Sequence, residues 1–148
     1  MKAKAVRMHG IRDLRLEEFE LPELKEGEIL VRIMTDSVCM STYKEVNQGS
    51  KHIRVPENIE EHPVIIGHEF SGKIIEVGDK WKDQYKVGQT FVINPGINGQ
   101  LYAPGYSYEF FGGAANYCII PEIAIEAKSL IPVNSKCFYE LSTTEPIF

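Results

Sequence analysis

The sequence predicts a mainly β fold, arranged as a closed or partly closed β-barrel with a few short helices. Short runs of alternating polar and apolar side chains recur along the chain, and Gly and Pro separate them. Helical character is confined to a short stretch after Cys39 and to the C-terminal residues. With 148 residues, 43% of them hydrophobic, the chain can bury one core, and we expect a single domain over residues 1–148.

Six predicted strands share an alternation of polar and apolar side chains between turn residues. They cover residues 3–8, 13–19, 28–35, 70–78, 87–95 and 114–121. The first two flank the turn His9-Gly10 and are expected to form a hairpin. The third follows a loop with Pro22 and Gly27 and is expected to have one buried face. Two shorter apolar segments, 124–125 and 130–133, are predicted to add short strands.

The remaining segments are predicted to be helices and loops. Ser41 is a suitable N-cap for a short helix that ends before Gly49, and residues 138–148 have the pattern of a second helix. Residues 50–63 are charged and contain two prolines, which favours a loop. Residues 96–113 are rich in Gly, Pro and Tyr without periodicity, and we expect a long irregular loop there.

Composition argues against several classes of partner. The formal net charge is −5 and no basic run occurs, whereas binding to nucleic acid needs a clustered positive face. No apolar stretch is long enough to span a bilayer, and no apolar segment follows the basic N-terminus. Three widely spaced cysteines fit a reducing compartment better than a disulfide framework. We therefore expect a cytoplasmic protein that binds neither nucleic acid nor membrane.

The segment Gly67-His68-Glu69 is the main candidate for chemistry. Its imidazole and carboxylate follow an apolar run, and both groups can bind a first-row metal ion or transfer protons. Adjacent residues of an extended strand point to opposite faces, so both reach one metal only where the backbone turns. Gly67 allows such a turn at the entrance of a strand. His68 is then the firm ligand and Glu69 the conditional one.

Cys39 is the candidate partner of His68, far before it in the sequence. Structural zinc sites usually draw ligands in close pairs such as Cys-x-x-Cys, and this chain contains no such pair. Ligands from distant segments suit an open catalytic site instead. From the residues alone two interpretations stay open, because a thiol and an isolated imidazole also serve as ordinary packing groups.

Several motifs occur in a characteristic order along nearly the whole chain. They are Gly67-His68-Glu69 followed by Gly72 and Val77-Gly78, then Gly88-Gln89-Thr90-Phe91-Val92, Gly112-Gly113-Ala114-Ala115-Asn116-Tyr117 and Glu145-Pro146. This order resembles the N-terminal, GroES-like catalytic domain of the zinc-dependent medium-chain alcohol and polyol dehydrogenases. The resemblance implies a GroES-like, partly closed β-barrel. The final Glu-Pro pair resembles the sorbitol dehydrogenase branch.

The resemblance also implies roles for individual residues. Cys39 and His68 would be ligands of a catalytic Zn²⁺, and Glu69 would bind it directly, through water or by exchange. Glu145 would be the remaining carboxylate near the metal. Ser41 would relay the proton of the substrate alcohol while hydride passes to NAD(H) or NADP(H).

Three positions depart from the family pattern. Thr42 occupies the position where an Asp usually orients the zinc-bound His, and a hydroxyl is a weaker orienting acceptor. Lys44 occupies the position of a His that often ends the proton relay. The segment between Pro95 and Gly112 has no cysteine, although family members carry a four-cysteine lobe there. We expect one zinc at most, and a Tyr/Gly-rich loop in place of the structural-zinc lobe.

These departures, with residues 35–41 and 47–49, are most similar to the sugar-phosphate reductase subgroup typified by L-sorbose 1-phosphate reductase. That subgroup interconverts a ketose phosphate and a hexitol phosphate, so the resemblance implies a polyol or sugar phosphate as substrate. Lys44, or Lys51, His52 and Arg54 in the next loop, would then meet the phosphate. The alternative, which we favour for residues 51–54, is a solvated loop.

No Gly-x-Gly-x-x-Gly turn occurs in the sequence. We therefore expect a fragment of a longer dehydrogenase that lacks the Rossmann cofactor domain, is inactive alone, and belongs to a homo-oligomeric parent. Two alternatives are a zinc-free quinone or enone reductase domain of the same superfamily and a GroES-like interaction module. Both are disfavoured, because neither class has a reason to carry the full set of metal-binding residues.

Overall fold

The computed structural model describes residues 1–96 and 101–133, which form a mainly β fold. The strands are β1 Lys2–Gly10, β2 Asp13–Glu20, β3 Ile29–Asp36, β4 Val64–Ile65, β5 Phe70–Val77, β6 Thr90–Ile93, β7 Tyr117–Ile120 and β8 Leu130–Pro132. The helices are α1 Met40–Gln48 and α2 Glu122–Glu126, with 3₁₀ turns at Gly49–Lys51 and Asp79–Trp81. The predicted fold class is confirmed.

The strands form two antiparallel sheets. The smaller sheet has the order β2-β1-β4, and the larger one has the order β7-β3-β5-β6-β8. An isolated bridge between Ala5 and Ala115 joins β1 to the segment before β7. Within residues 1–96 and 101–133 neither sheet closes on itself. The barrel is therefore partly closed, which was one of the two predicted forms.

Alternation places β1 and β2 as predicted. Ala3 and Ala5 are almost completely buried, whereas the intervening Lys4 is exposed. The two strands pair over nearly their whole length, from Lys2 opposite Glu20 to Gly10 opposite Asp13. The turn between them uses Arg12 in the left-handed region, at φ 57°. The predicted hairpin is confirmed.

Other expectations need correction or lie outside the described residues. Helix α1 begins at Met40 with Cys39 at the N-cap position, so Ser41 lies inside the first turn instead of capping it. Residues 124–125 belong to α2 and not to a strand. The prediction was wrong because two consecutive apolar side chains fit a helical turn as well as a strand. Strand β4 was not predicted, and β6 and β7 are shorter than expected. The predicted helix over residues 138–148 falls in a segment that is not described.

The core of the larger sheet fixes the position of β5. Phe70, the first residue of β5, is 1% exposed. Its ring lies edge-on to Phe91 with centroids 6.2 Å apart, and edge-on to Phe111 with centroids 6.0 Å apart. Edge-to-face contacts add to the stabilisation from burial. These contacts anchor the start of β5, immediately after His68 and Glu69.

Helices α1 and α2, in the described ranges 1–96 and 101–133, are too short and too polar to cross a bilayer.

Candidate metal centre

The backbone turns at Gly67, immediately before β5. Gly67 has φ +89°, and a Cβ placed on it would lie 2.2 Å from Asp36 Oδ2 and 2.8 Å from the backbone nitrogen of Ala114. Only glycine combines this conformation with this close approach at low cost. His68 and Glu69 follow the turn and precede β5. The prediction that the pair lies at a strand entrance is confirmed.

Gly67→Ala is expected to destabilise the fold by roughly 1–3 kcal/mol from backbone strain, with a further loss from the contacts of the new methyl group. Urea denaturation measures the change. Gly88→Ala is the matched control, because Gly88 has a similar φ of +85° but a Cβ placed there would meet nothing within 4 Å. Equal losses of stability in the two variants would show that the close contacts at Gly67 add nothing to the cost of the substitution.

Helix α1 brings Cys39 and Ser41 to the same place. Cys39, at the N-cap position, has extended φ and ψ of −98° and 150°, so the chain leaves β3 and turns into the helix at this residue. The thiol is half-buried. Ser41 lies in the first helical turn, where its hydroxyl is 2.9 Å from Cys39 Sγ and 3.2 Å from His68 Nε2.

Three potential metal ligands converge at this point. One donor atom each of Cys39, His68 and Glu69 lies within 4.8 Å of the others, and His68 Nε2 is 3.7 Å from Glu69 Oε1. Ligand atoms about 2.0–2.3 Å from one tetrahedral zinc ion are separated by roughly 3–4 Å. The thiolate, imidazole and carboxylate therefore fit a zinc ion and leave one coordination position for a further ligand.

Neighbouring hydroxyl groups orient two of these side chains. Ser37 Oγ donates to Glu69 Oε2 over 2.5 Å, and the Ser37 backbone N–H donates to the Glu69 carbonyl over 3.0 Å. Thr42 Oγ1 lies 3.5 Å from His68 Nδ1, which is long for a hydrogen bond. The carboxylate is thus held more firmly than the imidazole. This long contact at Nδ1 agrees with the expectation that the Thr42 hydroxyl orients the imidazole less strongly than an Asp carboxylate would.

Burial lowers the pKa of His68, and the positive charge of Arg54 acts in the same direction. The nearby Glu69 carboxylate opposes both effects without reversing them. His68 is only 6% exposed. Its imidazole is therefore held neutral at physiological pH, which is the form that binds a metal ion.

The carboxyl group of Asp36 lies under the turn and was missed from the sequence. Burial raises its pKa to about 7, and the charge of Glu69 adds to this effect, while backbone hydrogen bonds at Glu69 and Ser37 oppose it. Its Oδ1 atom is buried, without a hydrogen-bond partner in the part of the chain that the structure describes. The side chain fills the space that Gly67 and Gly113 leave open.

Tyr106, in the Tyr/Gly-rich loop, completes the wall of the centre. Its ring centroid lies 5.1 Å from that of His68. Burial raises the pKa of Tyr106. The preceding Gly105 has φ +75°, and a Cβ there would lie 2.2 Å from the Gly67 carbonyl oxygen. This backbone contact sets Tyr106 against His68. The sequence marks the position only by an aperiodic Gly-Tyr pair.

The remaining predicted site residues are not part of this cluster. Lys44 is exposed on α1 and belongs to none of the ion pairs within residues 1–96 and 101–133. Glu145 lies outside the described residues, so its relation to the centre stays a prediction. The residues that do meet are Cys39, Ser41, His68 and Glu69.

The two described cysteines should differ in reactivity. Cys39 is half-buried at the centre, whereas Cys118 is completely buried in β7 and burial raises the pKa of its thiol. We expect iodoacetamide to modify Cys39 and to leave Cys118 intact in the folded protein. Prior addition of Zn²⁺ should protect Cys39. Peptide mapping by mass spectrometry measures both sites, and faster modification of Cys118 than of Cys39 would contradict the structure.

Fold and site together define a class: an open-sheet β domain with a mixed thiolate, imidazole and carboxylate centre between a helix N-terminus and a strand entrance. Residues 25–131 match the alcohol dehydrogenase GroES-like domain family. The chain belongs to this family, and the resemblance found in the sequence is confirmed.

Named relatives agree with this assignment. The chain is 49% identical over 139 residues to a mannitol-1-phosphate 5-dehydrogenase of Aliivibrio fischeri, with 93% of this chain and 33% of the relative covered. It is 41% identical over 145 residues to an L-sorbose 1-phosphate reductase of Klebsiella pneumoniae, with 97% and 35% covered. The chain thus spans about a third of the length of these relatives.

A solved structure gives the same architecture. The 2R,3R-butanediol dehydrogenase of Bacillus subtilis superposes with a TM-score of 0.76 at 29% sequence identity, covering 95% of this chain and 43% of that protein. The matched part of that dehydrogenase supports the GroES-like fold of the described residues.

Proposed function

We propose that the chain is the zinc-binding catalytic domain of a nicotinamide-dependent dehydrogenase that interconverts a ketose phosphate and a hexitol phosphate. The observation that carries this proposal is the convergence of Cys39, His68 and Glu69 within 4.8 Å of one another. A sugar-phosphate substrate class is supported by the two relatives whose names include a phosphorylated hexitol or ketose.

Cys39 and His68 are the proposed zinc ligands, with Glu69 as the third donor and Glu145 as a further carboxylate near the metal. Zinc bound there would supply a Lewis acid that lowers the pKa of an alcohol ligand. The remaining steps belong to the side chains. Ser37 holds one oxygen of Glu69 through its 2.5 Å hydrogen bond, which leaves the other oxygen directed at His68. We propose this single zinc and no structural one.

Ser41 is the proposed proton relay. Its hydroxyl lies 2.9 Å from the thiol of Cys39 and 3.2 Å from the imidazole of His68, so two neighbours fix its position. In the oxidative direction its oxygen accepts the proton of the substrate hydroxyl and its own proton passes on to solvent, while hydride passes from the carbinol carbon to NAD⁺ or NADP⁺. In the reductive direction both transfers reverse. A relay of this kind contributes about 10²–10⁴-fold to rate.

We infer that the nicotinamide cofactor binds to residues beyond this chain. The absence of a Gly-x-Gly-x-x-Gly turn and the coverage of about a third of each relative support this inference. On this basis residues 1–148 form one catalytic domain that is inactive alone. The proposed complete enzyme is a cytoplasmic homo-oligomer that acts on small molecules and binds neither nucleic acid nor membrane.

The test is an assay of the zinc-loaded full-length enzyme with ketose and hexitol phosphates, their unphosphorylated forms and both nicotinamide cofactors. We expect turnover of the phosphorylated pair, and a fall in kcat of roughly 10²-fold or more in Ser41→Ala. Turnover of unphosphorylated polyols alone would overturn the substrate class. Full activity without zinc on a quinone or enone would replace the proposal by the zinc-free reductase alternative.

A further inference from the structure

Arg54 is an exposed cation beside the proposed metal centre. Within residues 1–96 and 101–133, no carboxylate forms an ion pair with it. Its guanidinium carbon lies 5.7 Å from the centroid of the Tyr106 ring. The same ring lies 5.1 Å from the imidazole of His68. A single aromatic side chain therefore separates this guanidinium from the metal-binding imidazole.

The backbone of Arg54 is fixed on both sides. Its N–H donates to His52 Nδ1 over 3.2 Å, and its carbonyl accepts a hydrogen bond of 2.6 Å from Ser107 Oγ. Ser107 follows Tyr106 in the loop that covers the centre. The segment around Arg54 is thus attached to the same loop that positions Tyr106. Residues 51–54 are largely exposed, as expected for a solvated loop, but the hydrogen bond from Ser107 fixes the backbone at Arg54.

The positive charge of Arg54 lies on the other side of the Tyr106 ring from His68. Within residues 1–96 and 101–133 no ion pair neutralises this charge. A ligand held at the centre would be attracted to the guanidinium if it carried a negatively charged group on that side.

We propose that Arg54 binds the phosphate group of the substrate while the reacting hydroxyl or carbonyl group lies at the metal centre. The planar guanidinium matches the geometry of phosphate oxygens and presents several donors to them. A sugar phosphate carries both required groups on one short carbon chain. This inference rests on the proposed function, since it assigns part of the same substrate.

The other cations of this region are less well placed. Lys44 is exposed on α1 and Lys51 is exposed at the end of the 3₁₀ turn, and neither has a described contact with the residues of the centre. His52 stacks on Tyr106 with ring centroids 5.2 Å apart, and burial lowers its pKa. It is therefore a neutral neighbour of Arg54. We therefore assign the phosphate to Arg54, and the role of Lys44 stays a prediction.

The experiment measures kcat/KM of the zinc-loaded full-length enzyme for a ketose 1-phosphate and for the same ketose without phosphate. Arg54→Ala is expected to lower kcat/KM for the phosphorylated ketose by about 10- to 100-fold, the range for charged hydrogen bonds, and to leave the unphosphorylated ketose within about 3-fold. Arg54→Lys should restore part of the loss. Lys51→Ala removes a charge from the same loop and should change the phosphate preference by less than about 3-fold.

Calorimetric titration of the ketose 1-phosphate without nicotinamide gives a second readout, in which Arg54→Ala should raise Kd by the same factor. Retention of the phosphate preference in Arg54→Ala, or equal losses for both ketoses, would overturn the inference while leaving the proposed function intact. A higher KM for NADPH alone would assign the guanidinium to the cofactor phosphate and also overturn it. A wild-type enzyme with no preference for the phosphorylated ketose would refute both proposals.

Discussion

His68→Ala and Cys39→Ser are each expected to weaken zinc binding by roughly two to three orders of magnitude. A zinc site in a small protein has a binding free energy of about 10–16 kcal/mol, so each of four ligands contributes about 2.5–4 kcal/mol. Both side chains are donors in the cluster whose atoms lie within 4.8 Å of one another. Elemental analysis after dialysis, followed by titration against a competing chelator, measures the change.

Two further variants make this result specific. His62→Ala removes an exposed imidazole that pairs with Glu109 over 3.2 Å and does not belong to the cluster of three donors, so this variant should keep the wild-type zinc content. The zinc affinity of Glu69→Gln should lie between those of the wild type and His68→Ala, since the carboxylate is the conditional ligand. Wild-type protein that contains no zinc after expression in zinc-replete medium would contradict the proposed function.

Glu45→Gln is expected to change how stability depends on pH. Glu45 lies on α1, four residues after Ser41, and is completely buried. Neither carboxyl oxygen has a hydrogen-bond partner within residues 1–96 and 101–133. Burial raises the pKa of this carboxyl group to about 9. The folded protein therefore holds Glu45 protonated at neutral pH, whereas the unfolded chain releases the proton above its ordinary pKa.

The sign of the effect follows from proton binding. Between the unfolded pKa near 4.5 and the folded pKa near 9, the folded state carries one more proton than the unfolded state. The free energy of unfolding therefore falls as pH rises, by about 1.4 kcal/mol per pH unit from this group. This contribution is complete below the pKa of Glu45 in the unfolded chain. It is lost as the pH rises to the pKa of Glu45 in the folded protein. Glutamine has the same shape and no titrating proton, so Glu45→Gln removes this slope.

Urea denaturation at pH 5.5, 7.0 and 8.5 tests the expectation on metal-free protein. Relative to the wild type, Glu45→Gln should gain a few kcal/mol of stability between the lowest and the highest pH. Asp36, whose pKa is also raised, contributes a similar slope up to about pH 7 in both proteins and cancels in the comparison. Glu57→Gln, at an exposed position, should leave the dependence of stability on pH unchanged. A constant difference between wild type and Glu45→Gln would contradict the raised pKa.

The strands were predictable because the alternation of polar and apolar side chains indicates directly which side chains face a core. β1, β2 and β5 begin and end close to the predicted residues, and Gly67 indicated the turn that brings His68 beside Glu69. The place of Cys39 in the same site could be inferred only from the order of the family motifs. Its spacing from His68 is too long for any local rule to restrict it.

The groups around the ligands could not be predicted, because their positions depend on contacts between distant segments. Tyr106 lies in an aperiodic loop and reaches His68 through the packing of Gly105 on Gly67. Glu45 carries a charge in the unfolded chain, so its polarity predicts an exposed position, yet α1 buries it. Such exceptions to patterning concentrate around functional sites.

The Tyr/Gly-rich loop is held without metal–thiolate bonds. Gly105 N–H donates to the Phe111 carbonyl over 3.0 Å, and Gly113 N–H donates to the Gly67 carbonyl over 2.8 Å. Chelation should therefore empty the proposed centre while the wall formed by Tyr106 stays in place. The apoprotein would then accept Co²⁺ without refolding. Since a cobalt–thiolate bond absorbs in the near-ultraviolet, Cys39 would become an optical reporter of the metal during turnover.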